Sequence, residues 1–200
     1  MVIAGVGGQG ILSIAAVLGR AALGRGLRVK QSEVHGMAQR GGAVVSHFRI
    51  ADAPIHSDVI PRGGADMLLS MEPMEALRYT DWLAAGGRLI SDRTPVRNVA
   101  PYPEPEALYR AIRAVPGHIL LDGTALARAA GVPRGLNMAM LGAASSFVEL
   151  QAEALEQSIA EQFAAKGDEV VSKNIDVFRA AREEAARHGG AGAQRAGRTD

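Results

Sequence analysis

The residues best suited to chemistry in this sequence lie together in a polar, glycine-rich segment that spans residues 32–42. His35 can gain or lose a proton near neutral pH, and the guanidinium of Arg40 can pair in a bidentate way with a carboxylate or a phosphate. Gln39 carries an amide that can orient a ligand or an incoming backbone, and Glu33 adds a carboxylate. The segment predicts a binding loop; the alternative is a solvated surface loop whose side chains satisfy local backbone groups.

A second candidate is a glycine-rich turn near the beginning of the chain, between an apolar stretch and a run with helical spacing. Glycine has no Cβ, so it permits a tight turn and lets backbone N–H groups approach a ligand closely. A helix that begins near Gly10 adds its unpaired amides and the positive end of its dipole. This turn predicts a binding site for a phosphate or a carboxylate. The alternative is that its glycines only make the turn and let the helix pack against the sheet. Its residues are Gly5, Val6, Gly7, Gly8, Gln9 and Gly10.

The spacing of Gly5, Gly7 and Gly10 also fits the fingerprint of dinucleotide-binding domains. That fingerprint requires an acidic residue about 20 residues further on, at the end of the second strand, to hold a ribose hydroxyl. Glu33 is near that distance, but it follows the apolar part of the second strand, which we predict at residues 27–31. A stand-alone domain that binds NAD or FAD is therefore kept as the alternative function.

The elements that must position both segments follow from the spacing of apolar residues. Loops at the carboxyl ends of parallel strands share one edge of a sheet, so we expect both segments at that edge. We predict an α/β fold, a three-layer Rossmann-like and mainly parallel sheet with helices on both faces and a helical C-terminal segment. Residues 1–187 form one domain, and residues 188–200 form a disordered tail. Strands are predicted at 1–4, 27–31, 43–50, 55–60, 66–70, 88–91 and 118–121, with a hairpin from the third and fourth, and helices at 11–22, 73–82, 106–115, 124–130, 137–150, 152–165 and 169–187.

The composition excludes several classes of protein. The chain has 200 residues, 48% of them apolar, which suits one α/β domain and excludes a mostly disordered chain. Its net charge of +1 gives no sign of nucleic acid or of an anionic membrane as a partner. The absence of cysteine excludes disulfides, thiolate metal sites and cysteine-held iron–sulfur clusters within this chain. No apolar run reaches the length of a membrane span and no basic leader is present, so we expect a cytoplasmic location.

The remaining polar residues predict structural roles more readily than chemistry. His47 and His56 lack the spacing of metal ligands, and we predict no metal site. Glu72 ends a strand and is expected to act as a cap. Asn137 is expected to cap an apolar helix, and Asn174, inside the last helix, is expected to reach across to another element.

Four stretches considered together resemble a known family. Residues 5–10, residues 32–42, residues 66–70 and residues 72–79 are similar to the γ-type domain of 2-oxoacid:ferredoxin oxidoreductases. Within that family, the stretches SEVHGMAQRGG and EPMEALRY are most similar to the β subunit of the indolepyruvate enzymes. The resemblance extends over about residues 1–180, and this combination is far more specific than the glycine motif alone.

The resemblance implies a subunit that carries no cofactor and is inactive alone. In such hetero-oligomeric enzymes, thiamine diphosphate and iron–sulfur clusters lie on a larger partner, coenzyme A accepts the acyl group, and electrons pass to ferredoxin. The implied reaction is the oxidative decarboxylation of a 2-oxoacid, with indolepyruvate or another aryl 2-oxoacid as the implied substrate. No catalytic acid or base is assigned to this chain. By similarity, the residues that face a ligand or the partner are Gly5, Gly7, Gly8, Gln9, Gly10, Glu33, His35, Gly36, Gln39, Arg40, Gly41 and Gly42.

Overall fold

The computed structural model describes residues 1–36 and 41–193, with side chains up to residue 188. In these parts of the chain a six-stranded sheet has the strand order β2-β3-β1-β4-β5-β6. Strands β1, β4, β5 and β6 are parallel, and β3 runs antiparallel to both β1 and β2. The strands are β1 (Val2–Val6), β2 (Arg28–His35), β3 (Ala43–Ala51), β4 (Ala65–Ser70), β5 (Leu83–Asp92) and β6 (Ile119–Leu121).

Helices cover both faces of the sheet, as predicted. One face packs against α1, α4, α5, α6 and α7, and the other packs against α2 and α3. The three-layer α/β architecture is therefore confirmed. The helices are α1 (Ile11–Gly24), α2 (Pro73–Arg78), α3 (Pro105–Ala114), α4 (Gly123–Ala129), α5 (Leu136–Ser145), α6 (Ala152–Phe163) and α7 (Asp168–Ala193), with short 3-10 turns at Thr80–Trp82 and Ala164–Lys166.

The hairpin differs from the predicted one. We expected β3 to pair with a strand at residues 55–60, but the structure has no strand there, and β3 pairs instead with β2. Strand β2 also extends to His35, four residues beyond its predicted end. The reason is that β2 lies at the edge of the sheet and none of its residues is fully buried, so it lacks the apolar run that marks a buried strand.

The ends of several other predicted helices and strands also differ from those in the structure. The helix that begins at Pro73 ends at Arg78 and continues only as a 3-10 turn, and β5 begins five residues before its predicted start. Helix α5 ends at Ser145 instead of residue 150. Helix α7 runs to Ala193, beyond its predicted end at residue 187. Residues 194–200 lie outside the described part, so a disordered tail stays a prediction for them.

Helix α5 is the central element of the helical layer, and every residue from Met138 to Ser145 is buried. It approaches α7 so closely that a Cβ on Gly142 would lie 2.1 Å from the carbonyl oxygen of Phe178. Glycine is thus required where the two helices cross. None of the helices in the described ranges has the length and apolar content needed to cross a membrane.

We expect Gly142→Ala to lower the free energy of unfolding by about 2 kcal/mol, because the new methyl group must displace the backbone of α7. Gly24→Ala is the matched control, since Gly24 also lies in a helix but a Cβ there meets nothing within 4 Å. The control should leave stability unchanged or raise it slightly. Urea unfolding followed by circular dichroism measures both, and equal midpoints for the two variants would contradict the close approach.

Candidate functional site

The two segments predicted from the sequence meet at the carboxyl edge of β1. The backbone N–H of Gly7 donates to the carbonyl of Gly42 at 2.8 Å, and the N–H of Gly41 donates to the carbonyl of Gly7 at 3.3 Å. The register explains the contact, because Val6 pairs with Ala43 and His35 pairs with Val44. The prediction that both segments share one edge is therefore confirmed.

The glycine turn has the conformation that its sequence predicts. Gly8 and Gly10 have positive φ angles of 101° and 84°, which disfavour any residue with a Cβ. Gly10 is the N-cap of α1, and among the described residues no side chain caps this helix and no acidic residue lies in its first turn. The positive end of the α1 dipole therefore has no acidic side chain from its own first turn beside it, and the binding of an anion there stays a prediction.

Gln9 braces this turn from within. Its Oε1 accepts from the N–H of Val6 at 2.7 Å, and its Nε2 donates to the carbonyl of Met71 at 2.9 Å. A Cβ on Gly5 would lie 2.8 Å from this Oε1 and 2.9 Å from the Cβ of Met71. Gln9 therefore joins the ends of β1 and β4, and Gly5 leaves room for the side chains of Gln9 and Met71.

The polar residues of the second segment occupy different positions. Glu33 lies within β2 opposite Ser46, and His35 is exposed at the end of that strand, with Nδ1 3.3 Å from the carbonyl oxygen of Gly36. Both had been expected in a loop. Gln39 and Arg40 lie outside the described residues, so their roles stay predictions.

The strand order argues against the dinucleotide alternative. In that fold the second strand lies directly beside the first, and its terminal acidic residue reaches the ribose. Here β3 lies between β1 and β2, so Glu33 sits two strand spacings, about 9–10 Å, from β1. The glycine spacing is therefore present without the geometry that holds a dinucleotide.

Glu72 is a site residue whose full role the sequence did not reveal. Its side chain is fully buried, and Oε2 accepts from the N–H of Glu75 at 2.8 Å, which confirms the predicted cap of α2. Its second oxygen, Oε1, accepts from the N–H of Val96 at 3.3 Å and from the hydroxyl of Tyr102. One carboxylate therefore joins α2 to a segment 24–30 residues further along the chain.

That segment, residues 93–104 between β5 and α3, is here called the strap. Its first residue is fixed by two bonds, from the N–H of Arg93 to the carbonyl of Leu121 at 2.9 Å and from the hydroxyl of Tyr109 to the carbonyl of Arg93 at 2.6 Å. In its middle, Nδ2 of Asn98 donates to the carbonyl of Gly41 at 2.7 Å. The strap thus reaches the glycine turn through the end of the hairpin. In the sequence, the strap is marked only by its three prolines, and these indicate irregular structure without revealing its contacts.

Burial dominates the electrostatics of the acidic groups around the strap. It raises the pKa of Asp92, whose Oδ1 accepts from the N–H of Gly123 at 2.8 Å. It also raises the pKa of Glu75, against the opposing effect of Arg78. Burial and the Glu72 carboxylate raise the pKa of Tyr102, which keeps its hydroxyl protonated as a donor. The carboxylates of Glu72, Glu75 and Asp92 therefore accept hydrogen bonds from backbone N–H groups or from neighbouring side chains, and these bonds hold the local structure together.

We call the surface formed by residues 7–10, 36, 41–42 and 96–99 the rim. Three of the five large apolar side chains exposed in the described chain lie within the rim or two residues from it along the sequence: Leu12 (59% exposed), Val34 (59%) and Val99 (46%). Exposed apolar side chains that lie together are typical of a docking surface. In the same parts of the chain, no group of three His, Cys, Asp or Glu residues could hold a metal ion.

Two asparagines differ from their predicted roles, and one histidine lies in the core. Asn137 is not the cap of α5; it is the second residue of that helix, and a Cβ on Gly10 would lie 2.7 Å from its Nδ2. Asn174 does not reach another element through its amide, which donates to the carbonyl of Val170 in its own helix at 2.7 Å. His47 is buried and accepts from the N–H of Ile60 at 3.2 Å.

Comparison with known proteins gives consistent results. The family model described as pyruvate ferredoxin/flavodoxin oxidoreductase matches residues 1–184. The indolepyruvate oxidoreductase subunit IorB of Pyrococcus horikoshii is 38% identical over 194 residues, which cover 92% of this chain and 96% of that protein. The subunit of the same name from Archaeoglobus fulgidus is 34% identical over 188 residues, covering 90% and 91%.

Solved structures share the fold. The γ subunit of a keto/oxoacid ferredoxin oxidoreductase from Geobacter sulfurreducens matches with a TM-score of 0.66 at 23% identity, over 93% of this chain and 97% of that one. A 2-oxoglutarate:ferredoxin oxidoreductase from Magnetococcus marinus matches with a TM-score of 0.73 at 20% identity, over 93% of this chain and 30% of that one. By sequence and by fold, the chain belongs to the pyruvate ferredoxin/flavodoxin oxidoreductase family.

Proposed function

We propose that this chain is the cofactor-free subunit of a 2-oxoacid:ferredoxin oxidoreductase of the indolepyruvate type. The complex would oxidatively decarboxylate an aryl 2-oxoacid to its acyl-CoA and pass electrons to ferredoxin in the cytoplasm. Relatives that share nearly the whole length of the chain are named as indolepyruvate oxidoreductase subunits, which supports this assignment. Because the chain has no cysteine, thiolate-held iron–sulfur clusters would lie on another subunit.

The observation that carries the proposal is the composition of the rim. It combines the uncapped positive end of α1 with exposed apolar side chains, whereas the neighbouring carboxylates are buried in structural hydrogen bonds. Such a surface is suited to bind a partner or an anionic group and does not supply an acid, a base or a nucleophile. We therefore infer that the rim docks onto the larger subunit that carries thiamine diphosphate and the clusters.

Within this arrangement, the residues of the chain have separate roles. Gly7 holds the hairpin end through its N–H and its carbonyl, and Gly8 is the exposed residue of the glycine turn. The first turn of α1 offers its dipole to a phosphate or a carboxylate near the shared interface. Leu12 and Val34 supply apolar contact. His35, Gln39 and Arg40 are the side chains of the second segment that we propose for polar contact with the partner or with coenzyme A.

The test of the proposed function is anaerobic purification of the tagged chain from its native source. We expect co-purification with a larger, cysteine-rich chain that binds thiamine diphosphate. The complex should reduce a viologen dye with indolepyruvate and coenzyme A, and the isolated chain should not. Turnover by the isolated chain, or micromolar binding of NADH or FAD to it, would instead favour the stand-alone domain.

The docking surface is tested by two matched substitutions on α1. We expect Leu12→Gln to weaken binding to the larger subunit about tenfold. Leu12 borders the rim, and its side chain, which is exposed in the isolated chain, would bury apolar area against the partner. The polar glutamine would lose that contribution. Leu23→Gln changes an equally exposed leucine (62%) at the other end of the same helix and should leave binding unchanged. Titration of each variant against the larger subunit decides, and an effect confined to Leu23→Gln would move the interface away from the rim.

A further inference from the structure

We propose that Glu72 is a positioning residue of the rim: its buried carboxylate fixes the strap, and the strap fixes the end of the β2–β3 hairpin against the glycine turn. This inference rests on the proposed function, because it assigns the rim a task in binding the larger subunit. It adds residues that lie outside both glycine segments, namely Glu72, Tyr102 and Asn98.

The first step in the argument concerns the cost of burying Glu72. A carboxylate removed from water is destabilising unless hydrogen-bond donors surround it. Glu72 is fully buried and has three donors, of which the N–H of Glu75 belongs to its own helix. Helix α2 has only six residues, and a shorter Ser or Asp could cap it. The longer side chain has the reach to place a second oxygen on the strap.

The second step concerns the strap itself. Beyond Thr94, three hydrogen bonds link its middle to other described elements: two from Val96 and Tyr102 to Glu72, and one from Asn98 to Gly41. Asn98 lies between the two residues that Glu72 holds, and its own N–H donates to the carbonyl of Val96 at 2.8 Å. The carboxylate therefore determines where the amide of Asn98 can be.

The third step links the strap to the rim. The carbonyl that Asn98 holds belongs to Gly41, whose N–H in turn donates to Gly7 in the glycine turn. A continuous chain of hydrogen bonds thus runs from α2 through the strap and the hairpin to the start of α1. A surface that is already ordered before binding avoids the entropic cost of ordering loops at an interface. Loss of the Glu72 carboxylate should consequently weaken binding of the partner, although Glu72 is buried and would not itself contact the partner.

Three substitutions separate this role from simple capping. In Glu72→Gln, the remaining carbonyl oxygen can still cap α2, but the amide group would face the N–H of Val96, donor against donor. Tyr102→Phe removes only the hydroxyl, and Asn98→Ala cuts only the link to Gly41. Tyr79→Phe is the matched control, because this half-buried tyrosine packs against Trp82 and its hydroxyl makes no hydrogen bond to the described residues.

Hydrogen exchange of the full chain gives a readout that does not depend on enzyme activity. We expect Glu72→Gln and Tyr102→Phe to speed exchange in peptides that cover residues 94–102 and also in those that cover residues 41–45. Asn98→Ala should speed exchange at residues 41–45, and Tyr79→Phe should change neither. Faster exchange in the strap with unchanged protection at residues 41–45 would overturn the proposed coupling.

Titration against the larger subunit then tests the functional half. Glu72→Gln and Tyr102→Phe, which lie outside the rim, should each bind about five- to twentyfold more weakly than the wild type, while the turnover of the saturated complex stays the same. Variants that exchange faster but bind equally well would overturn this inference and leave the proposed function standing. A wild-type chain that forms no complex would instead contradict the proposed function, and the exchange measurements would still decide whether Glu72 orders the rim.

Discussion

The antiparallel placement of β3 beside β1 is the constraint on which the rim depends. Since β3 begins where β1 ends, the connection that precedes β3 must lie at the same edge of the sheet as the glycine turn. Two backbone hydrogen bonds between Gly7 and residues 41–42 then join the segments. With β3 elsewhere, the two glycine-rich segments of the sequence would be separate features; with β3 in this position they form one surface.

The sequence predicted the parts of this arrangement that depend on local patterns. The turn at residues 5–10 was visible because glycine conformations and the helical spacing after Ile11 are local properties. The extension of β2 to His35 was not visible, because an exposed edge strand carries polar residues on both faces. The cap role of Glu72 followed from its place after β4. Its bonds to Val96 and Tyr102 did not, since only the folded chain brings such distant residues together.

Two buried carboxylates at the ends of parallel strands have structural hydrogen-bond partners. Asp92 ends β5 and Glu72 follows β4 by two residues, and each accepts a backbone N–H from the helix or loop that comes next, Glu72 from Glu75 and Asp92 from Thr94. Such positions are where enzymes of this architecture usually place reactive groups. Here the lone pairs of both side chains are engaged with backbone and hydroxyl donors. Burial raises the pKa of Asp92, and the hydrogen bonds from Thr94, Gly123 and Thr124 oppose that rise.

The glycine spacing itself carries less meaning than the strand order around it. Gly5 is required because Gln9 and Met71 fill the space beside it, and Gly10 is required because of its positive φ and of Asn137. These are packing reasons that apply whatever the turn binds. A dinucleotide site needs, in addition, an acidic residue on the strand next to β1, and β3 occupies that place. The glycine spacing therefore occurs here without a dinucleotide site, because one antiparallel strand separates the turn from the residue that would have held a ribose.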